Sequence, residues 1–210
     1  MRITTLAVLL VLAPAASFAQ WEFGADGGVG LLNHVAVSSP AGSATAGFAP
    51  GFSAGAFLGE NLYTHFSGEI HYDYMQSTLR LSSAGQNADF SGSAHAVHYD
   101  MVYHTTRGES RVQFFAALGG GIKAFLGTGA QEAYQPLSQY GYFTQANSVK
   151  MMATGAAGLT FKLSPRLSLR VEVRDFATGF PTAVLTPPQG VKYGTMLNEV
   201  VPMVSIVYAK

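Results

Sequence analysis

Apolar and polar residues alternate along much of this sequence, most clearly in the segment HFSGEIHYDY that begins at His65. Every second position from Phe66 to Tyr74 holds an aromatic residue, isoleucine or glycine, and the positions between them hold Ser, Glu, His and Asp. Such period-two alternation predicts a β-strand whose two faces meet different environments. The class of the protein therefore depends on which face lies inside.

The same alternation recurs along the chain and predicts eight strands of roughly ten residues, the length that a tilted strand needs to cross a bilayer. Long and short connections alternate between these strands, as they do in bacterial outer-membrane barrels with short periplasmic turns and longer surface loops. The predicted strands are residues 21–33, 48–59, 65–74, 95–104, 112–126, 149–163, 167–175 and 198–208, and the predicted long loops are residues 34–47, 76–92, 127–148 and 176–197.

Two features of the strands indicate that the polar face lies inside and the apolar face outside. The polar face carries small residues such as Gly55, Gly119 and Gly121, which fit the narrow interior of a closed sheet of about eight strands. The apolar face carries aromatic residues towards the strand ends, such as Trp21 and Phe161, which is typical of lipid–water interfaces. A soluble β-barrel carrier of a small apolar ligand would have the opposite orientation, and it is the alternative interpretation.

A polar interior would contain many ionisable side chains, and buried charges must be paired to be tolerated. Carboxylates concentrate on the third and fourth predicted strands and cations on the fifth to seventh, so we expect a plug of salt bridges; a narrow channel or proton path is the alternative. The predicted interior network is Glu69, His71, Asp73, His98, Asp100, Lys123, Lys150, Arg170, Glu172, Arg174 and Glu199, with His104 on the same face.

Composition excludes several classes of function. Charged residues make up only 11% of the 210 residues, glycine is frequent, and the formal net charge is zero, so there is no electrostatic case for binding nucleic acid. The absence of cysteine excludes disulfides, thiol nucleophiles and cysteine-based metal sites. One β domain is the natural prediction for this length.

The first 19 residues have the pattern of a cleaved signal peptide. Arg2 precedes a short apolar run at residues 6–12, Pro14 follows it, and small residues precede the predicted cleavage site after Ala19. The apolar run is too short for a membrane anchor. We therefore expect export, with residues 20–210 forming an outer-membrane barrel domain.

Three segments, AGAFLGENLYTHFSGEIHYDYM, RVQFFAALGGGIKAF and VVPMVSIVY, together with the signal ending at Ala19, resemble the small eight-stranded outer-membrane barrels of the OmpA transmembrane-domain and opacity-porin type. The resemblance implies an all-β, antiparallel, up-and-down transmembrane barrel. It also implies contact with outer-membrane lipids and lipopolysaccharide, and insertion by the barrel-assembly machinery. Such barrels usually end on an aromatic residue, whereas Ala209 and Lys210 follow Tyr208 here.

Candidate catalytic and metal-binding residues are few, and the sequence predicts neither an enzyme nor a cofactor. His65 and Ser67 are two positions apart on one strand, about 7 Å, which is too far for a base to activate a nucleophile. His71, Asp73, His98 and Asp100 would form a metal site if their strands paired in register, but hydrogen bonds among them are the simpler expectation. The glycine run at residues 119–121 lacks the Lys-Ser/Thr of a phosphate loop.

The long loops are the expected seat of function. We predict a monomeric structural or surface-interaction protein that acts in membrane integrity, adhesion or ligand contact. Aromatic loop residues are candidates for recognition, although they could instead pack the loops together. These residues are Phe90, Tyr134, Tyr140, Tyr142, Phe180 and Tyr193.

Overall fold

The computed structural model describes residues 21–32, 34–105 and 110–210, so the predicted signal peptide lies outside the described residues. No helix in this part of the chain is long and apolar enough to cross a membrane. The strands are β1 (Trp21–Leu32), β2 (Val35–Ser39), β3 (Gly42–Phe48), β4 (Gly51–Asn61), β5 (Phe66–Gln76), β6 (Leu79–Ser83), β7 (Gln86–Phe90), β8 (Gly92–His104), β9 (Val112–Gly127), β10 (Tyr142–Phe143), β11 (Asn147–Lys162), β12 (Leu167–Gly179), β13 (Leu185–Thr186), β14 (Lys192–Tyr193) and β15 (Met196–Ala209).

Eight of these strands close into an antiparallel barrel in the order β1-β15-β12-β11-β9-β8-β5-β4, which confirms the predicted fold class. Closure is made by β1, which pairs with β4 on one side and with β15 on the other. The two ends of the barrel chain meet where Lys210 N–H donates to the Trp21 carbonyl at 3.0 Å. Because short turns follow β4, β8 and β11 at this same end, all four long connections lie at the opposite end.

Large apolar side chains at alternate positions of all eight barrel strands point away from the interior. Ile70, Tyr99, Phe114 and Val173 are examples, each between 46% and 53% exposed. An apolar surface of this extent is unfavourable in water and is expected in contact with lipid. A closed barrel also suits lipid, because every backbone polar group is paired between strands. The orientation is the reverse of that in a soluble carrier.

The long connections, predicted as loops, contain further short strands. We call residues 34–50, 77–91, 128–146 and 180–195 the cap. Strands β14, β2, β3, β6 and β7 form a five-stranded sheet within it, and β10 pairs with β13. The sequence signal was weak because segments such as VAVSS and LRLSS are only five residues long and rich in serine. The second barrel strand also begins later than predicted, at Gly51, because Phe48 belongs to β3.

One apolar core runs from the cap into the adjoining half of the barrel. In the cap, Phe90 stacks on Phe143 with ring centroids 5.3 Å apart. At the junction, Phe48 of the cap stacks on Phe125 of the barrel at 5.6 Å. The cap therefore packs on the barrel at that end. Other members of the core are Val37, Leu79, Leu81, Val184 and Leu185 in the cap and Met75, Met152, Phe176, Leu197, Val201 and Met203 in the barrel.

Candidate functional site

The half of the interior towards the short turns is built around a buried ion pair between β12 and β5. Arg170 donates from both terminal nitrogens to Glu69, at 2.9 and 2.8 Å. Its guanidinium lies between the rings of Phe57 and Phe115, 4.7 Å from each centroid. Flat aromatic faces on both sides suit a planar cation that has left water. Arg170 is 1% exposed and Glu69 likewise, so each depends on the other for neutralisation.

A second ion-paired group lies in the middle of the barrel. Asp100 accepts from Arg174 and, at 2.6 Å, from the hydroxyl of Thr154. Arg174 also donates to Glu172 at 2.9 Å, so one guanidinium bridges two carboxylates. His98 joins the group, with Nδ1 2.9 Å from Asp100 Oδ1.

Two histidines connect these groups. His71 and His98 are directly paired across β5 and β8, and their rings are stacked 4.7 Å apart with an angle of 7° between their planes. His71 Nε2 lies 3.0 Å from Glu69, and His98 Nε2 lies 3.0 Å from Asp73. The antiparallel register thus brings together the groups that the sequence analysis considered as a hydrogen-bonded cluster or a metal site.

The remaining predicted interior residues lie nearer the cap. Lys123 is ion-paired to Glu199, and its ammonium lies 5.3 and 5.4 Å from the rings of Phe125 and Phe176. Lys150 also lies on the inward face, opposite Lys123 in the register, but it is half-buried at the rim. Among the described residues it makes no ion pair, so it is separate from the buried network.

Sequence reasoning missed several interior side chains, of which Phe57, Phe115 and Asp26 matter most for the site. Phe57 and Phe115 enclose Arg170, although the prediction of a polar interior had no place for them. Asp26 lies on the inward face of β1, directly across from Gly55, and it was absent from the predicted network. The alternation in WEFGADGG would have placed Asp26 on the same face as Glu22 and Gly24.

A cavity of about 240 Å³ opens at the short-turn end of the barrel. Its lining includes Glu22, His104, Gln113 and Arg170. Next to it, Ser67 Oγ lies 2.8 Å from His104 Nε2, and both side chains are buried. His65, the base considered in the sequence analysis, instead contacts the His104 carbonyl through Nδ1 at 3.0 Å. The one serine–histidine contact of this region therefore uses a different histidine, on β8.

Three of the six loop aromatics are buried. Phe90, Tyr140 and Phe180 form part of the apolar core of the cap, which agrees with the alternative that loop aromatics pack the loops together. Tyr134 is 82% exposed, and Tyr142 is 47% exposed. Only these last two present most or half of an aromatic surface to solvent.

Tyr193, the sixth loop aromatic, connects two segments of the cap. It is half-buried, packs edge-on to Phe180 with centroids 5.2 Å apart, and donates its hydroxyl to the Tyr140 carbonyl at 2.8 Å. Burial raises the pKa of Tyr193 above its ordinary value. The hydrogen bond ties β14 to the segment between β9 and β10.

A closed eight-stranded antiparallel barrel with an apolar outer surface and a filled, charged interior is the fold of the small outer-membrane β-barrel proteins. Three solved structures of such proteins resemble this one. Neisserial surface protein A is 14% identical, with a TM-score of 0.53 over 90% of this chain and 96% of that one. OprG from Pseudomonas aeruginosa is 11% identical, with a TM-score of 0.56 over 91% of this chain and 97% of that one.

The third structure, the N-terminal β-barrel domain of Pseudomonas aeruginosa OprF, is 11% identical, with a TM-score of 0.43 over 91% of this chain and 99% of that domain. No protein-family model and no curated protein sequence matches the chain. At such low identities the likeness concerns the fold alone, and any function must be argued from the residues of this chain.

Proposed function

We propose that this protein is an integral outer-membrane barrel whose lumen is closed and whose folded cap is displayed at the cell surface for structural or adhesive contact. The observation that carries the proposal is the apolar core that the cap shares with the barrel. It closes one end of the lumen, while the buried ion pairs fill the middle and the other half. The proposal assigns no transport and no catalysis to the barrel.

The proposed orientation follows from the connections. In outer-membrane barrels the short turns face the periplasm and the long connections face outward. The cap is then the surface that other cells or molecules meet. Its exposed aromatics, Tyr134 and Tyr142, are the residue type that most often dominates contact surfaces.

Site-specific labelling of intact cells tests this orientation. The chain has no cysteine, so a single introduced cysteine reports its own position. We expect a membrane-impermeant maleimide to label Tyr134→Cys in the cap on whole cells. The matched variant Arg166→Cys, exposed in a short turn, should react only after the outer membrane is permeabilised. The reverse pattern would contradict the proposed orientation.

Planar-bilayer recordings test the closed lumen. The purified protein should insert without stepwise conductance, because a permeating ion would have to cross both the ion pairs and the apolar core. A general porin recorded under the same conditions provides the positive control. Reproducible single-channel steps from the wild-type protein would show that the lumen is open.

Attachment assays test the role of the cap. A strain without the gene should attach less well to host-derived or abiotic surfaces, or become more sensitive to detergents, and the wild-type gene should reverse the defect. We expect the double variant Tyr134→Ala/Tyr142→Ala to be inserted normally but to restore attachment only partly, since it lacks exposed contact area. Full rescue of attachment by this variant would argue that these two side chains make no contact.

A further inference from the structure

Two stacked histidines lie at the centre of the barrel. One ring nitrogen of each contacts a carboxylate, and that carboxylate accepts hydrogen bonds from an arginine. Glu69 holds His71 through Nε2 and is itself held by Arg170. Asp100 holds His98 through Nδ1 and accepts from Arg174. A carboxylate on one ring nitrogen is the usual support of a histidine that binds a metal through the other.

The other ring nitrogen of His98, Nε2, lies 3.0 Å from Asp73 Oδ2. Candidate ligand atoms of His71, Asp73 and His98 lie within 4.8 Å of one another, and all three side chains are buried. Asp26 approaches this region from β1 and lies beside the three residues rather than within their 4.8 Å group. Its Oδ1 atom is shielded from solvent and has no hydrogen-bond partner among the described residues.

A glycine keeps the space between the two carboxylates open. Gly55 lies between Asp26 and Asp73 in the register of β1, β4 and β5. A methyl carbon on Gly55 would lie 2.5 Å from Asp73 Oδ1 and 2.8 Å from Asp26 Oδ1. Both oxygens therefore approach the same small volume, at a separation where two carboxylates repel each other unless a cation or a proton intervenes.

The charges of the interior are unbalanced at this point. Each buried cation is already paired: Lys123 with Glu199, Arg170 with Glu69, and Arg174 with both Asp100 and Glu172. No Lys or Arg among the described residues forms an ion pair with Asp26 or Asp73. Asp26 and Asp73 are thus left with His98 to neutralise them, which contacts Asp73 and Asp100 and carries a charge only when it is protonated. One divalent cation beside the two histidines would neutralise both carboxylates.

We propose that Asp26, His71, Asp73 and His98 bind one divalent transition-metal ion, with Zn²⁺ as the best match. Two imidazole nitrogens and two carboxylate oxygens are a donor set that zinc accepts in tetrahedral geometry. The ion takes the place of the proton between His98 Nε2 and Asp73 Oδ2. It enters during folding, since the Arg170–Glu69 pair lies on one side of the site and the apolar core on the other.

Metal analysis of the detergent-solubilised protein, purified without a histidine tag, tests the site. The protein is refolded with Zn²⁺, dialysed against metal-free buffer and assayed for bound zinc. We expect one ion per wild-type chain and affinity weakened more than about tenfold in His98→Asn and Asp26→Asn. The matched control is His95→Asn, on the same strand but on the outward face, which should bind like wild type. Electrophoretic mobility before and after boiling shows whether each variant is folded.

Cobalt provides a second readout that does not depend on affinity. Co²⁺ at this site should give the visible absorption of a four- or five-coordinate ion, and Asp26→Asn should change that spectrum. Binding of less than one ion by the wild type overturns the proposal, even if His98→Asn fails to fold. An equal loss in His95→Asn, or an Asp26→Asn protein with unchanged affinity and cobalt spectrum, also overturns the proposed ligand set.

Discussion

Arg170→Met should lower the free energy of unfolding of the barrel by about 3–5 kcal/mol, the cost of leaving a buried charge without its partner. Methionine keeps most of the volume between Phe57 and Phe115, so the loss comes from Glu69 rather than from a cavity. Glu69 would lose two short hydrogen bonds in a site where it is 1% exposed. Equilibrium unfolding in urea, with the protein in detergent micelles and followed by tryptophan fluorescence or gel mobility, measures the change.

Two comparisons show whether the effect belongs to the buried pair. The double variant Glu69→Gln/Arg170→Met removes both charges and should recover most of the lost stability, because neutral groups carry a smaller desolvation cost. Arg80→Met breaks another bidentate pair, in the cap, where Arg80 donates twice to Asp89 at 2.7 Å. Those hydrogen bonds hold the pKa of Asp89 below its ordinary value, but the two side chains are 34% and 42% exposed, so the change in stability should be small. If Arg170→Met and Arg80→Met lower the free energy of unfolding equally, burial does not increase the contribution of the Arg170–Glu69 pair.

The barrel could be predicted from the sequence because the alternation of polar and apolar residues can be recognised within each strand separately. Each residue pair in segments such as GEIHYD reveals the two faces of the strand, and glycines on the polar face reveal a narrow interior. The interior positions of Glu69, His71, Arg170 and their neighbours follow from the same parity. Strand parity therefore supplied both the fold and most of the candidate interior residues.

The partners of these residues could not be predicted, because they depend on register around the whole barrel. Arg170 and Glu69 are 101 residues apart, on strands that are not neighbours in the barrel order. Alternation specifies which face a side chain occupies but not its height along the barrel axis. The contact between Ser67 and His104, rather than His65, has the same origin.

The cap was missed for a different physical reason. Its strands contain at most seven residues, and their apolar side chains are buried by other long connections rather than by neighbours in sequence. Phe90 and Phe180 resemble exposed loop aromatics until the four connections are assembled. The apolar part of the interior was missed because Phe57 and Phe125 lie at inward positions, where the alternation pattern predicts charged or small residues.

The three glycines at 119–121 allow a comparison between the inward and outward faces of one strand. The comparison tests whether small residues face a filled interior. Gly119 and Gly121 point inward and Gly120 points outward. A methyl carbon on Gly121 would lie 2.6 Å from Cα and 2.7 Å from Cβ of His98 and would overlap the Val97 carbonyl. On Gly120 the nearest atom would be the Met152 carbonyl oxygen, at 3.1 Å.

Gly121→Ala should therefore destabilise the barrel by about 1–3 kcal/mol, the usual cost of overpacking, because β8 and β9 must separate or His98 must move. Gly120→Ala, one residue away, should have little effect, since its methyl group faces lipid and the Met152 carbonyl needs to shift by only a few tenths of an ångström. Urea unfolding in micelles measures both variants under identical conditions. If Gly120→Ala proves the more damaging, then the smaller, glycine-bearing face is turned to lipid, and the inside-out orientation from which the closed lumen was argued is reversed.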